Sequence, residues 1–446
     1  MIVIISDLHL TDGSSGETIH EGAFRLFRER LRDLVYDASK RSDETYEPIR
    51  QVDVILLGDI LDIIRSTQWC TAPPEVRPWG NVNDPRVQEK VRTITETILT
   101  HNASSIAVLR SLSQDMAVTV PRATAEGKAA AASHDSRAVE RVPVQVRLHY
   151  MIGNHDWMYH LPGEPYEKIR ELIRRELGLA NPPGPFPHDP KESAAITKLY
   201  RDHRIFARHG DIYDDLNFEQ TRDASSLGDA VVIELLNRFP ELVAMQLGPS
   251  LSDDCKQGLK ELDNVRPLQI VPVWLDGLLK NTCTASQAKE IKDIWNTQAK
   301  QFLSTPFVER RGHYLFKLGI RFSRDFSLYT LSRIILRILK RTQTHPSFAA
   351  YALRETAFRD GSADFLVYGH THWYEVVPLR AAPSAQGLLK QIYVNSGTWR
   401  AVHELGDFDP RQEQFVGYQV MTYLAFFRDD ERKGRSFECW SGALEE

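Results

Sequence analysis

Seven side chains able to bind a metal ion follow directly on short apolar segments of this chain. Ile2-Val3-Ile4-Ile5 leads into Ser6-Asp7-Leu8-His9, and Val54-Ile55-Leu56-Leu57 into Gly58-Asp59. Residues 144–152 lead into Gly153-Asn154, residues 204–208 into His209, and residues 363–368 into Gly369-His370-Thr371-His372. An apolar strand that breaks at once into a polar residue presents it at the carboxyl edge of a sheet, where open α/β folds bind ligands. Asp7, His9, Asp59, Asn154, His209, His370 and His372 supply two carboxylates, one amide oxygen and four imidazoles. Imidazole favours zinc, iron, manganese, cobalt or nickel over calcium or magnesium, and the absence of thiolate argues against copper or an iron–sulfur cluster. Seven ligands for two ions require one to be shared; a carboxylate can bridge, and Asp59 is placed at the centre. Two ions about 3.5–4 Å apart can hold a hydroxide between them and clamp a phosphoryl oxygen. Metal-bound water, with a pKa of about 7, then supplies the nucleophile without a serine or cysteine. Singly, each residue has an ordinary reading: a carboxylate after a strand can be a cap or ion-pair partner, and a lone His209 a packed histidine. The recurrence of the pattern, in order along the chain, is what points to a metal site.

Such deliveries need a sheet with helices on its faces. Residues 1–6 read as a buried strand, 20–40 as a helix with Phe24, Phe27, Leu31, Leu34 and Val35 on one face, and 52–57 as the next strand. This βαβ unit opens an α/β fold. Residues 84–115 read as one long helix, 123–138 as an alanine-rich exposed insertion, and 164–177 as an amphipathic helix ended by Gly178. Residues 181–190 read as a proline-rich surface loop, and 65–85, with Trp69 and Trp79 among prolines, as a loop beside the site. From 213 to 359 strand signals almost vanish and helical patterns dominate, at 229–239, 285–302, 326–341 and 347–358. Strands resume at 363–368 and recur near 390–395, 418–426 and 436–440. The expected organisation is a core in two parts, 1–215 (with an insertion at about 65–140) and 361–446, around an inserted helical cap at 216–360.

The series Asp7-Leu8-His9, Gly58-Asp59-Ile60-Leu61-Asp62, Gly153-Asn154-His155-Asp156, His209 and Gly369-His370-Thr371-His372 resembles the calcineurin-like metallophosphoesterase superfamily, with its motifs in the family's order. The resemblance covers residues 1–62, roughly 144–215 and 363–400, and leaves 216–360 outside it. It implies a two-sheet β-sandwich flanked by helices, and two divalent ions, manganese first, with iron, zinc, cobalt or nickel as alternatives. It also implies hydrolysis of a phosphodiester, phosphomonoester or pyrophosphate bond. Asp7, His9 and His372 would bind one ion, Asn154, His209 and His370 the other, with Asp59 bridging. His155 would face the scissile phosphate and protonate the leaving oxygen, with Asp156 orienting it; an imidazole titrates near neutrality and a carboxylate neighbour holds its tautomer.

The substrate stays open among three readings. Ser6-Asp7-Leu8-His9-Leu10 and the helical insertion resemble bacterial UDP-diacylglucosamine pyrophosphatases, which commonly carry arginine where this chain has His155, and a smaller insertion. The intact His155 suits a nuclease of the SbcD type, which a net charge of -5 opposes. A small-molecule phosphodiesterase or monoesterase is the third. A non-catalytic scaffold is disfavoured, since no ligand is missing.

The 446 residues, 42% hydrophobic and 26% charged, suffice for a substantial core. Four cysteines without Cys-x-x-Cys spacing argue against a disulfide framework or thiolate zinc site and fit a reducing, cytoplasmic setting. No stretch is long and apolar enough to span a membrane. Residues 317–341 form a basic amphipathic stretch that reads either as a peripheral membrane contact or as an internal helix with solvated arginines. Asp62 reads as a support for a ligand histidine or a helix cap, and Asp211 as a structural cap or turn. Residues 393–399 read as packing beneath the site with Asn395 in reach of it, and Trp69 and Trp79 as packing residues or stacking platforms.

Overall fold

The computed structural model describes the chain except residues 17, 136–139, 220, 268–269, 312–346, 385–386, 407–413 and 445–446. Its strands, in chain order, are β1 (Ile2–Ile5), β2 (Gln51–Leu57), β3 (Thr119–Pro121), β4 (Arg141–Pro143), β5 (Gln145–Met151), β6 (Ile205–Ala207) and β7 (Val265–Arg266). They continue with β8 (Phe365–Tyr368), β9 (Tyr374–Ser384), β10 (Gly387–Ser396), β11 (Ala401–Leu405), β12 (Phe415–Phe426) and β13 (Phe437–Ala443). The larger sheet runs β5-β2-β1-β12-β11-β7, with β13 also on β12. β5, β2 and β1 are parallel, and β12 meets β1 antiparallel, Ile2 opposite Phe426. The second sheet runs β6-β8-β10-β9, its first three strands parallel. β3 and β4 form a separate pair.

Period-two alternation explains how both faces of the larger sheet are buried. Ile2, Ile4, Ile55, Leu57, Met151, Leu424 and Phe426 meet Ile205, Ala207, Phe365, Val367 and Val394 of the second sheet in one buried cluster. The alternate residues Val3, Ile5, Val54, Leu56, Leu148 and Tyr150 pack on the opposite side with Phe24, Phe27 and Leu31 of helix Glu21–Ala38 and Val91, Ile94 and Ile98 of helix Pro85–His101. The fold is mixed α/β, with two sheets face to face and helices outside.

Several expectations are corrected in detail. The helix expected over 84–115 is two helices, Pro85–His101 and Ala103–Gln114. Buried Asn102 breaks the run, because its Nδ2 donates to both Ile98 O and Thr11 O at 2.8 Å. The pattern at 347–358 likewise splits into Ala349–Ala352 and Thr356–Arg359. Between them Glu355 is drawn inward, accepting from Tyr213 (2.6 Å) and Tyr368 (3.0 Å) and pairing with Arg208 (3.1 Å). β9 was not legible because Pro378 and Pro383 interrupt it; as an edge strand with a bulge opposite Gln391 and Ile392, it tolerates them. Among the described residues of 227–311, short helices follow one another, interrupted by β7, which pairs with β11. The stretch 317–341 lies outside the described residues. Among the described residues no helix is long and apolar enough to cross a membrane.

Candidate metal centre

Five of the expected ligand residues adopt a backbone conformation that L-residues seldom occupy. Asp7 (φ 52°), His9 (45°), Asp59 (55°), His370 (70°) and His372 (63°) are all left-handed. Each follows a strand end, and the reversal turns its side chain back across the sheet edge. Neighbouring turns hold one another in place: Asp7 N donates to Gly58 O (3.1 Å), His9 N to Asp59 O (2.8 Å), and His370 N to Asp7 Oδ2 (3.1 Å). Two glycines make the crowding tolerable. A Cβ on Gly58 (φ 86°) would lie 2.5 Å from His209 Nδ1, and one on Gly369 2.5 Å from Asp7 Oδ2.

The turns bring all seven residues together, and every one is nearly or fully shielded from solvent except for partial exposure at His370 and His372. Asp7, His9 and His372 place ligand atoms within 4.8 Å of one another, as do Asp59, His209 and His370. His9 Nε2 and His372 Nε2 are 2.9 Å apart, with Asp7 Oδ1 at 3.8 and 3.4 Å from them. Asp59 stands between the two groups, its Oδ2 3.7 Å from His9 Nε2 and 3.1 Å from His209 Nε2. The far side of three of the four rings is anchored on an acceptor, which fixes the tautomer. His9 Nδ1 donates to Asp62 Oδ2 (2.8 Å), His209 Nδ1 to Leu57 O (3.0 Å) and His370 Nε2 to Asp214 Oδ2 (3.1 Å). Asn154 Oδ1 is buried and has no hydrogen-bond partner, and buried His209 Nε2 faces the Asp59 carboxylate. Donor atoms placed in this way fit a divalent cation.

The electrostatics agree with this. Burial opposes charge on His209 and His155, yet the adjacent carboxylates raise both to about 10, Asp59 and Asp7 acting on His209, Asp62 and Asp59 on His155. Asp59 is itself held well below the usual carboxylate range by the imidazoles, despite full burial. A field that holds protons on these rings would equally hold cations. His372 is pushed the other way, by burial and by Arg266, whose Nη2 donates to its Nδ1 (2.9 Å).

The expected role of Asp156 is corrected. Its Oδ1 accepts from Gly153 N (2.6 Å), and its Oδ2 from Ile60 N (3.0 Å) and Tyr150 OH (2.6 Å), so it binds the loop backbones together. The carboxylate on His155 Nδ1 is Asp62 Oδ1, at 2.9 Å. Asp62 also accepts from Arg65 N (3.0 Å), so it both supports the His9 and His155 rings and caps the following turn. Asp211 pairs with Arg222, and Asn395 Nδ2 donates to Gly369 O (2.8 Å), beneath the His370 turn. Trp69 is fully buried and Trp79 stacks on Phe307, ring centroids 5.1 Å apart. Among the described residues, none of 65–85 lines the cavity over the site.

That cavity, about 290 Å³, is walled by Asn154, His155, His370 and His372 and, from the segment between β6 and β8, by Asn217, Val231, Val232 and Arg266. Phe348 and Trp373 supply an aromatic side. Asp214, Asn217 and Arg266 were missed by sequence reasoning because none follows an apolar strand end; Arg266 sits in the two-residue β7, too short to leave a pattern. In comparisons with known proteins the chain matches no family model, and its sequence matches no curated protein.

Proposed function

We propose that the chain is a metal-dependent phosphoesterase of the calcineurin-like metallophosphoesterase type, hydrolysing an ester or anhydride bond of a small phosphorylated molecule. The observation that carries this reading is the convergence of five strand ends on Asp59, with His209 Nε2 3.1 Å from its Oδ2 and Asn154 Oδ1 buried and unpartnered. Asp7, His9 and His372 would hold one divalent ion, Asn154, His209 and His370 another, and Asp59 both. When bound, such ions supply Lewis-acid polarisation of a phosphoryl oxygen and an acidified water as nucleophile.

The chain's own residues account for the rest. His155 lines the cavity with Nδ1 engaged by Asp62, which leaves Nε2 to present a proton to a leaving oxygen. Asp62 stabilises the charged ring and fixes its orientation. Arg266 brings positive charge to the cavity wall for an anionic substrate, and Asn154 Nδ2 and Asn217 Oδ1, 3.5 Å apart, add polar contacts. Phe348 and Trp373 offer apolar area to a leaving group. A volume of about 290 Å³ supports a compact substrate over a polymer, since small-molecule sites begin at about this size.

The test is manganese-dependent turnover of a chromogenic phosphomonoester, a chromogenic phosphodiester, a nucleotide-sugar lipid pyrophosphate and single-stranded DNA. Turnover is expected with at least one small ester, abolished in Asp59→Asn and lowered by roughly 10²–10⁴ in His155→Ala. Turnover undiminished in Asp59→Asn would overturn the reading.

A further inference from the structure

We propose that His160, His188 and Glu192 form a separate metal site, holding a zinc-class ion that fastens the loop behind His155. His160 ends the 3-10 turn Trp157–His160, which follows His155 and Asp156 directly. His188 and Glu192 lie on the proline-rich loop and on the turn Pro190–Glu192 that closes it. Ligand atoms of the three residues lie within 4.8 Å of one another, and the two imidazole rings meet edge to face with centroids 5.1 Å apart. None of the three lines the cavity over Asp59.

The donors are set in place by the protein itself. His160 Nδ1 donates to Phe186 O (2.9 Å), which leaves the lone pair on Nε2; a ring nitrogen engaged on a carbonyl is the usual support of a metal-binding imidazole. Glu192 Oε2 accepts from His188 N (2.9 Å) and, in a capping box, from Asp189 N (3.4 Å), and its Oε1 lies 3.0 Å from His188 Nδ1. That Nδ1 is buried yet has no hydrogen bond of acceptable geometry. A fourth group stands at the edge, Asp223 Oδ1, 3.9 Å from His160 Nε2. Two imidazoles and two carboxylates without thiolate suit Zn²⁺, Co²⁺ or Ni²⁺ in four-coordinate geometry, with ligands at about 2.0–2.2 Å. The side chains are partly exposed, so they can close to that distance by rotation. The two segments are already joined by Phe186 N donating to Tyr159 O (3.2 Å) and Ile152 N to Pro187 O (3.0 Å). An ion here would lock that seam immediately behind Asn154 and His155.

The test uses the metal-stripped full chain, titrated with Zn²⁺ and, for its visible bands, Co²⁺. Four proteins are compared: Asp59→Asn alone, and Asp59→Asn combined with His160→Gln, with His188→Gln or with both. The Asp59→Asn protein is expected to bind one more ion per chain than each combined variant, to show four-coordinate Co²⁺ bands that they lack, and to gain a Zn²⁺-dependent rise in melting temperature that they lose. Circular dichroism checks each fold; should one histidine variant misfold, the other gives the same reading. Equal stoichiometry and equal melting shifts across the set would overturn the proposal. Because the readouts are binding and melting, this outcome is independent of whether any phosphoester is hydrolysed.

Discussion

Asp62 holds two imidazoles at once, His9 through Oδ2 and His155 through Oδ1, so one carboxylate ties the two rings together. Asp62→Asn is expected to lower metal affinity and turnover together, each by about 10–100-fold, since such supports act through the groups they orient. Metal titration beside kcat/KM measures both. Asp156→Asn, by contrast, is expected to loosen the turns at Gly153 and Ile60 and to show mainly in thermal stability. The contrast marks where residue-level legibility ended. The seven residues gathered around Asp59 were readable because each follows a strand end. The partner of His155 was not: the adjacent Asp156 points into the loop backbone, while Asp62, distant in sequence, arrives because β2 and β5 are parallel neighbours in register from Gln51 to Leu57.

At the scale of elements, strand ends and the glycines in them decide whether the ligands can meet. Gly58→Ala is expected to displace the His209 ring, since the added Cβ would lie 2.5 Å from Nδ1 and the positive φ adds strain of about 1 kcal/mol. Calorimetric titration should then show weakened manganese binding while circular dichroism stays close to wild type. Ile55→Ala, in the layer between the sheets, should cost about 2–5 kcal/mol by urea unfolding. The periodic elements were legible: helix Glu164–Leu177, with left-handed Gly178 at its end, and strands β1, β2 and β5 all matched their patterns. What escaped was set by single buried side chains, Asn102 splitting one helix and Glu355 another, and by prolines that an edge strand accommodates.

For the whole molecule, stability should depend on both pH and metal. His203 is buried, its Nδ1 donating to Leu199 O (2.8 Å) and its Nε2 accepting from Arg428 Nε (3.1 Å). Burial, with the Met1 ammonium and Arg428 beside it, lowers its pKa from 6.5 to about 4. The unfolded chain therefore takes up this proton before the folded one does. The contribution of the neutral ring is full above the unfolded value and is lost as pH falls toward the folded one, by up to about 3 kcal/mol. His203→Gln should flatten that part of the urea-midpoint profile. Manganese should raise the melting temperature of the wild type, and less so that of Asp59→Asn, by preferential binding to the folded state.

The place of β1 in its sheet has a consequence for synthesis. One edge of β1 pairs with residues 53–56, but the other waits for residues 424–426. At ordinary translation rates that partner emerges about 370 residues later, roughly twenty to seventy seconds on the ribosome. For that time Ile2-Val3-Ile4-Ile5 presents an unpaired apolar edge, the kind of surface that aggregates or recruits a chaperone. Ribosome-stalled chains ending before β12 should be captured by a holding chaperone, and chains extending past Phe426 released from it.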